Sequence, residues 1–153
     1  MGSRFDVARG DHGAVTLDIA AGEIPPRDEL AELYDAVGWV AYTRDLDALD
    51  RGLQGSSLVV TARRDGRLVG LARIVSDGAT IAYLQDILVR PEEQRRGVGR
   101  RLATAALATF ESVRQKVLLT DDDPGQRAFY ESLGFAETHD FDDGSLRAFV
   151  RFD

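Results

Sequence analysis

Alternating apolar and polar residues predict strands in the first half of the chain. Apolar positions alternate over residues 14–19, and residues 58–63 and 68–75 form β-rich stretches. An Asp-Gly pair at positions 65 and 66 separates the last two stretches, which is a strong signal for a β-hairpin. Residues 80–89 are expected to form a further strand, which the proline at position 91 stops.

Apolar residues spaced three and four apart predict helices on either side of these strands. The predicted helices cover residues 25–37, 45–53, 97–115 and 124–133. The last helix has the clearest start, because Asp123 can cap it, Pro124 takes the first position and Gln126 the third.

Short strands are expected between and after the last two helices. They cover residues 117–119, 135–137 and 146–152. The resulting order βααβββαβαββ indicates an α/β (α+β) protein with helices on both faces of a mixed sheet. We expect a single domain over residues 1–153, with a central sheet of about six to seven strands flanked by about four helices.

Composition narrows the classes of function. The chain has 153 residues, of which 44% are hydrophobic and 29% charged, and a formal net charge of −7. That charge disfavours nucleic acid and anionic membranes as partners, and no apolar run could span a bilayer. There is no cysteine and there are two histidines, so thiol chemistry is excluded and a metal site is not expected. The first residues lack a signal-peptide pattern, which favours a cytoplasmic location.

The strand over residues 80–89 leads into a polar loop with two close glycines, and the loop opens a helix. Unpaired backbone N–H groups at a helix start attract anions, and Gly97 and Gly99 would let a phosphate approach the backbone. The nearby cations are Arg95, Arg96, Arg100 and Arg101. A P-loop would need Lys-Ser or Lys-Thr after the second glycine, and a dinucleotide fingerprint would need a glycine at Leu102. The pattern therefore predicts a phosphate-bearing ligand of another kind, with a solvated helix start as the alternative.

Three motifs in the second part of the chain match one known family. Residues 94–99 read Gln-Arg-Arg-Gly-Val-Gly, matching a Gln/Arg-x-x-Gly-x-Gly/Ala signature. Residues 88–91 match the apolar-Val-x-Pro end of the preceding strand, and residues 130–135 match Tyr-Glu-x-Leu-Gly-Phe. Together they resemble the GCN5-related N-acetyltransferases (GNAT) over roughly the last two thirds of the chain.

The resemblance implies an acyltransferase with acetyl-CoA as co-substrate, its pyrophosphate held by the glycine loop. It also implies backbone amides near Leu88 and Val89, at a splay between parallel strands, that hold the acetyl and pantetheine groups. Direct attack by a primary amine in a ternary complex is then expected, without an acyl-enzyme. The implied cofactor-binding residues are Ile87, Leu88, Val89, Gln94, Arg95, Arg96, Gly97, Val98, Gly99, Arg100, Asp123 and Tyr130. Asp123 departs from the family, which usually has Asn there, and an ionised Asp cannot donate a hydrogen bond.

Two residues are candidates for proton transfer. Tyr130 is the implied general acid, because a phenol with an ordinary pKa near 10 stays protonated, and packing against the sheet is the alternative. Asp86 is the candidate base, acting on the amine directly or through water. The alternative is that Asp86 fixes a turn or pairs with Arg73 or Arg90.

The acceptor side is less sharply defined. In the resembling family the region of Trp39 and Tyr42 lines the acceptor pocket, although core packing of Trp39 is equally compatible with the sequence. Tyr83 and Gln85 would face away from Asp86 on an ideal strand, a bulge could exchange the faces, and either residue could order a water. The expected partner is a small-molecule or peptide amine, and a homodimer is suggested by analogy with the family. The alternative function is a catalytically inactive CoA-binding sensor or interaction module.

Overall fold

A computed structural model describes residues 15–153. The first position of the predicted strand over residues 14–19, together with the start of the predicted domain, lies outside the described residues. The strands are β1 (Leu17–Ala21), β2 (Leu58–Arg64), β3 (Arg67–Ser76), β4 (Ile81–Val89) and β5 (Gln115–Leu118). The helices are α1 (Arg27–Ala36), α2 (Val40–Thr43), α3 (Leu46–Gln54), α4 (Val98–Ala108) and α5 (Pro124–Glu131), with a 3-10 turn at Pro91–Glu93. No helix within residues 15–153 has the length and apolar character needed to cross a membrane.

The strands form one mixed sheet in the order β1-β2-β3-β4-β5. The first three pairings are antiparallel and the last, β4 with β5, is parallel. Asp65 and Gly66 both have positive φ, 49° and 81°, as a tight hairpin turn between β2 and β3 requires. The predicted hairpin and mixed sheet are therefore confirmed.

Each face of the sheet carries its own apolar core. One core lies under α4 and α5 and includes Leu102 and Tyr130, whereas the other lies under α1 and α3 and includes Leu33 and Leu53. β4 contributes to both cores, because Leu84 packs in the first and Leu88 in the second.

A β-bulge at Gln85 explains this change of face. Arg73 pairs with Asp86 and the next residue of β3, Ile74, pairs with Leu84, so Gln85 is the extra residue on β4. The bulge puts Tyr83 and Asp86 on the same face of the sheet, so the alternative of an exchange of faces holds instead of the ideal strand.

The pairing of the two parallel strands ends next to the bulge. Their pairing begins at Ile81 with Gln115 and ends at Leu84 with Leu118, whereas β4 continues to Val89. The edge of β4 that faces β5 therefore has no strand partner beyond Leu84, and we call the space beside this unpaired edge the wedge. A splay between the two strands stays a prediction.

The end of the chain differs from the prediction. Within residues 15–153 the sheet has five strands instead of six to seven, because residues 135–137 and 146–152 form no strand. Their apolar pattern is compatible with strands, but a strand needs a neighbour to pair with, and Phe149 and Phe152 are 96% and 89% exposed. Residues 137–140 are instead fastened to α5, where Arg127 forms ion pairs with Glu137 and Asp140.

Two helices also differ from the prediction. α4 ends at Ala108 and not at residue 115, because the bonds after it run three residues back, as from the N–H of Phe110 to the carbonyl of Leu107. Phe110 and Val113 remain buried, as the predicted apolar stripe requires. The short helix α2 at Val40–Thr43 was not predicted and raises the number of helices within residues 15–153 to five.

Candidate active site

The loop between β4 and α4 has the geometry of an anion site. Gly97 immediately precedes α4 with a left-handed φ of 80°, and no side chain caps the helix. The first N–H groups of α4 can therefore donate hydrogen bonds to an anionic ligand. Gly99 is less restricted, because a Cβ added there would meet Phe129 at an ordinary 3.6 Å.

The cations of this loop differ in how they are held. Arg100 donates to the Ser132 hydroxyl at 2.6 Å, whereas Arg96 lies 3.8 Å from the Glu93 carboxylate and is largely exposed. Arg95 is exposed and forms no ion pair with the residues that the structure describes. Gln94 donates from its side-chain amide to the Val89 carbonyl at 3.1 Å, which fastens the loop to the end of β4.

Tyr130 lies on the α4 and α5 face, beside the wedge. Its ring packs against Phe129 and Phe135, and only 7% of the residue is exposed. Burial raises the pKa of Tyr130 to about 12, although a hydrogen bond with the Thr120 side chain opposes the shift. Thr120 follows the end of β5, next to the stretch of β4 that has no strand partner.

Asp86 lies on the opposite face and is fully enclosed. Its side chain has no exposed surface, and it forms an ion pair with Arg73. It also accepts hydrogen bonds from the hydroxyls of Tyr34 at 2.7 Å and Tyr42 at 3.3 Å. The predicted alternative of pairing with Arg73 is confirmed. Pairing with Arg90 is wrong, because that side chain donates to the Leu68 carbonyl and lies beside Glu32.

The phenols around Asp86 are held in their neutral form. Burial raises the pKa of Tyr34 far above its usual range, and the negative charge of Asp86 raises it further. Burial and the same carboxylate also raise the pKa of Tyr42, and burial raises that of Tyr83. Burial alone would lower the pKa of Arg73, but the charge of Asp86 and its hydrogen bond raise it. The cluster therefore contains one compensated ion pair and neutral hydroxyl groups.

The predicted acceptor residues gather around this cluster. Gln85 donates to the Tyr42 hydroxyl at 3.2 Å, and the Trp39 and Tyr42 rings stack with centroids 5.9 Å apart. Trp39 also packs edge-on against Tyr34, in the core under α1, as its predicted structural alternative requires. Beside the cluster is an open cleft of about 190 Å³, lined by Ala41, Tyr42, Asp45, Ala48, Leu49, Gly52 and Arg73.

Sequence reasoning did not assign Tyr34, Arg73 and Thr120 to the site. Tyr34 was predicted as a core residue of its helix, but a buried phenol needs a hydrogen-bond partner, and that need was a usable signal. Arg73 interrupts an apolar strand, which similarly indicated a buried partner. For Thr120, which follows β5, no comparable signal exists.

Asp123 has a confirmed structural role. It caps α5, accepting from the backbone N–H of Gly125 at 2.7 Å and of Gln126 at 3.3 Å. The predicted start of this helix is therefore confirmed, and contact with CoA stays a prediction. No group of three or more histidine, cysteine, aspartate or glutamate side chains within residues 15–153 is arranged to hold a metal ion.

The mixed sheet with its wedge, and the uncapped helix beside it, define an α/β acyltransferase fold. A family model described as an acetyltransferase (GNAT) domain matches residues 27–144, and the chain therefore belongs to the GNAT family. An uncharacterized N-acetyltransferase ycf52 of Pyropia yezoensis is 29% identical over 116 residues. The match covers 73% of this chain and 66% of that relative, so the chain spans just under two thirds of its length.

Solved structures support the same fold. A GNAT-family acetyltransferase of Streptococcus pneumoniae superposes with a TM-score of 0.79 at 29% identity, covering 90% of this chain and 98% of that one. The aminoglycoside N-acetyltransferase AAC(6')-Iy, solved with CoA, gives a TM-score of 0.67 at 18% identity, covering 96% and 97% of the two chains. At that identity the second likeness is one of fold.

Proposed function

We propose that the protein transfers the acetyl group of acetyl-CoA to a primary amine, by direct attack in a ternary complex. The observation that carries the proposal is the wedge between β4 and β5. Beyond the last pair, Leu84 with Leu118, Tyr130 lies on one face of the sheet. The cluster around Asp86, which includes Tyr42, lies on the other face. Two reactants that approach from opposite faces would meet at this opening.

The residues present fit acetyl-CoA. The uncapped start of α4 offers backbone donors to a pyrophosphate, and Arg95, Arg96 and Arg100 supply positive charge. The edge of β4 at residues 87–89 has no strand partner and offers backbone groups to an amide-bearing pantetheine arm, although the Val89 carbonyl already accepts from Gln94. Acetyl-CoA supplies the activated acyl group. Asp123 is less suited to bind the cofactor, because its carboxylate already caps α5.

The backbone of β4 and the phenol of Tyr130 would each stabilise a different negative charge that develops during the reaction. Fixed N–H donors near Leu88 and Val89 would stabilise negative charge on the thioester oxygen. Tyr130, with its pKa of about 12, remains protonated at neutral pH and can donate a proton to the departing thiolate.

Asp86 is better suited to positioning than to taking the amine proton directly. Its carboxylate is enclosed and occupied by Arg73, Tyr34 and Tyr42, so an amine cannot reach it without displacing these partners. We assign it the role of orienting Tyr42, whose hydroxyl also accepts from Gln85. A water held near Gln85 and Tyr83 would then take the proton of the amine.

The acceptor is proposed to be a small-molecule or peptide amine that contacts Tyr42 and the adjoining cleft. The aromatic surface of Trp39 and Tyr42 suits a cation, and the exposed Asp45, whose carboxylate also caps α3, adds negative charge beside it. The acidic net charge of −7 is compatible with such a partner.

The proposal is tested first by calorimetric titration with acetyl-CoA, then by free-thiol release across a panel of amines. Micromolar binding with thiol release on one class of amine is the expected result. Tyr130→Phe should lower kcat by roughly 10²-fold or more, a much larger effect than its change in the Kd of acetyl-CoA. Tyr42→Phe, the comparison variant, should instead raise the KM of the amine.

Two outcomes would contradict the proposal. Binding of acetyl-CoA without turnover on any amine would favour the inactive CoA-binding sensor or interaction module. Absence of any binding would overturn the assignment of the cofactor site itself.

A further inference from the structure

The loop proposed to bind the pyrophosphate contains two carboxylates. Glu92 and Glu93 form the 3-10 turn that leads into the glycines and α4. A negative charge there opposes the binding of phosphates, because like charges repel across short distances and most strongly where water is excluded. The loop therefore needs some means of compensating these charges.

The β2–β3 hairpin supplies a cation for each of them. Arg64, at the end of β2, donates from Nε to both oxygens of Glu93, at 3.0 and 2.9 Å. Arg67, at the start of β3, lies 3.2 Å from Glu92. The two pairs differ in burial, because the Glu93 side chain is 9% exposed whereas Arg67 and Glu92 are both more than half exposed.

Glu93 has a second cation within reach. Arg96, one of the arginines proposed to face the pyrophosphate, lies 3.8 Å from the Glu93 oxygen Oε2, which also accepts from Arg64. Arg96 is 62% exposed and is free to turn toward a ligand. Arg64 and Arg96 therefore share one buried carboxylate, and only Arg96 belongs to the loop proposed to bind the pyrophosphate.

We infer that Arg64 is a positioning residue for acetyl-CoA binding, because it neutralises Glu93 and so leaves Arg96 available to the pyrophosphate. This inference rests on the proposed function. Without Arg64, the buried carboxylate would draw Arg96 into its own ion pair and would add a negative charge beside the ligand. The hairpin would thus control cofactor affinity without contacting the cofactor.

Arg64 could act by compensating the charge of Glu93 or only by anchoring the loop. The two explanations predict different changes in CoA affinity for Glu93→Gln. Arg64→Gln should weaken CoA binding about tenfold, equivalent to about 1.4 kcal/mol. Glu93→Gln should bind CoA as tightly as the parent or more tightly, since it removes the charge that Arg64 compensates. If the pair only fastened the loop, both substitutions would weaken binding alike.

The chain offers matched controls on the same hairpin. Arg63, next to Arg64, pairs instead with Glu29 at 2.6 Å, on α1, so Arg63→Gln should leave the Kd of CoA within about twofold of the parent. Arg67→Gln removes the exposed pair and should have a similarly small effect. The double variant Arg64→Gln/Glu93→Gln should return CoA binding to within about twofold of the parent, which also shows that the loop still folds.

The experiment is calorimetric titration of CoA into the parent and these five variants at fixed ionic strength, with thermal melts to compare folding. Binding by the parent tests the proposed function, and the ratios between variants test the inference. A weaker Arg64→Gln, a retained Glu93→Gln and a restored double variant support it. An Arg64→Gln variant equal to Arg63→Gln, or a Glu93→Gln variant as weak as Arg64→Gln, would overturn it even if the parent binds CoA.

Discussion

The ion pair between Arg73 and Asp86 makes the folded state sensitive to a single substitution. Arg73→Met removes the guanidinium and keeps a chain of similar length. Asp86 would then remain with no exposed side-chain surface and with hydrogen bonds from Tyr34 and Tyr42 alone. Two neutral donors cannot compensate a full buried charge, so the folded state loses stability.

The expected loss is large compared with the stability of an ordinary domain. Breaking a buried pair by removing one partner typically costs about 3 to 5 kcal/mol, against about 5 to 15 kcal/mol for the whole free energy of unfolding. For a chain of this size that corresponds to a fall in Tm of roughly 6 to 20 °C. Urea unfolding followed by circular dichroism would measure the free energy, and calorimetry the Tm.

Arg67→Met is the matched control for this prediction. Arg67 lies on the same strand, β3, but its partner Glu92 and its own side chain are more than half exposed. Its loss should cost less than about 1 kcal/mol. Equal costs for the two variants, or a cost below 1 kcal/mol for Arg73→Met, would refute the buried-charge reasoning. Replacing both members, as in Arg73→Met/Asp86→Leu, should recover part of the loss because no charge is then left unpaired.

Three further predictions concern the loop, the last helix and the tyrosines. Gly97→Ala should lower the free energy of unfolding by roughly 1 to 2 kcal/mol, because its φ of 80° is left-handed, whereas Gly99→Ala should change it by less than about 0.5 kcal/mol. Paired urea titrations would compare the two, and equal effects would contradict the geometry. Asp123→Ala should lower the free energy of unfolding by about 1 kcal/mol through loss of the α5 cap, whereas Asp123→Asn should retain the cap. Thermal melts would compare the two variants, and a destabilised Asn variant would argue against capping. Absorbance titration at 295 nm should show tyrosinate forming later in the native protein than in urea, since burial raises the pKa of Tyr130 to about 12 and those of the other tyrosines as well. The stability that these neutral phenols contribute is complete below about pH 10 and is lost as pH rises through their folded pKa values, so a native curve that coincides with the urea curve would disprove the shifts.

The sequence predicts correctly those parts of the fold that depend only on neighbouring residues, such as turns and helix caps. The turn at Asp65 and Gly66, the glycine before α4 and the cap at Asp123 all depend on neighbouring residues, and each was predicted correctly. The final strands failed because an alternating pattern states which residues could be buried, not whether a neighbouring strand is there to pair with them. In the structure nothing covers Phe149 or Phe152 within residues 15–153, and the segment stays irregular.

The proposed site likewise has one half whose residues are close together in sequence and one half whose residues are far apart. Most residues of the proposed cofactor site are continuous in sequence from Ile87 to Arg100, so a motif could indicate them. The proposed acceptor half joins Tyr34 with Asp86 across 52 positions, and Arg73 with Asp86 across 13. Contacts of this kind follow from strand register, and the register here depends on an extra residue at Gln85 that no local signal marks.

The bulge at Gln85 therefore links the two halves of the proposed mechanism. Without it, Tyr83 and Asp86 would lie on opposite faces, and the carboxylate could not meet both Arg73 and the hydroxyl of Tyr42. The pairing of β4 with β5 also ends next to this residue, so the same irregularity coincides with the opening of the wedge. A single extra residue thus brings the cluster around Asp86 to the point where the unpaired edge of β4 begins. Because Tyr130, the proposed acid, and this cluster occupy opposite faces of one sheet, the proposed chemistry requires an opening of this kind between them.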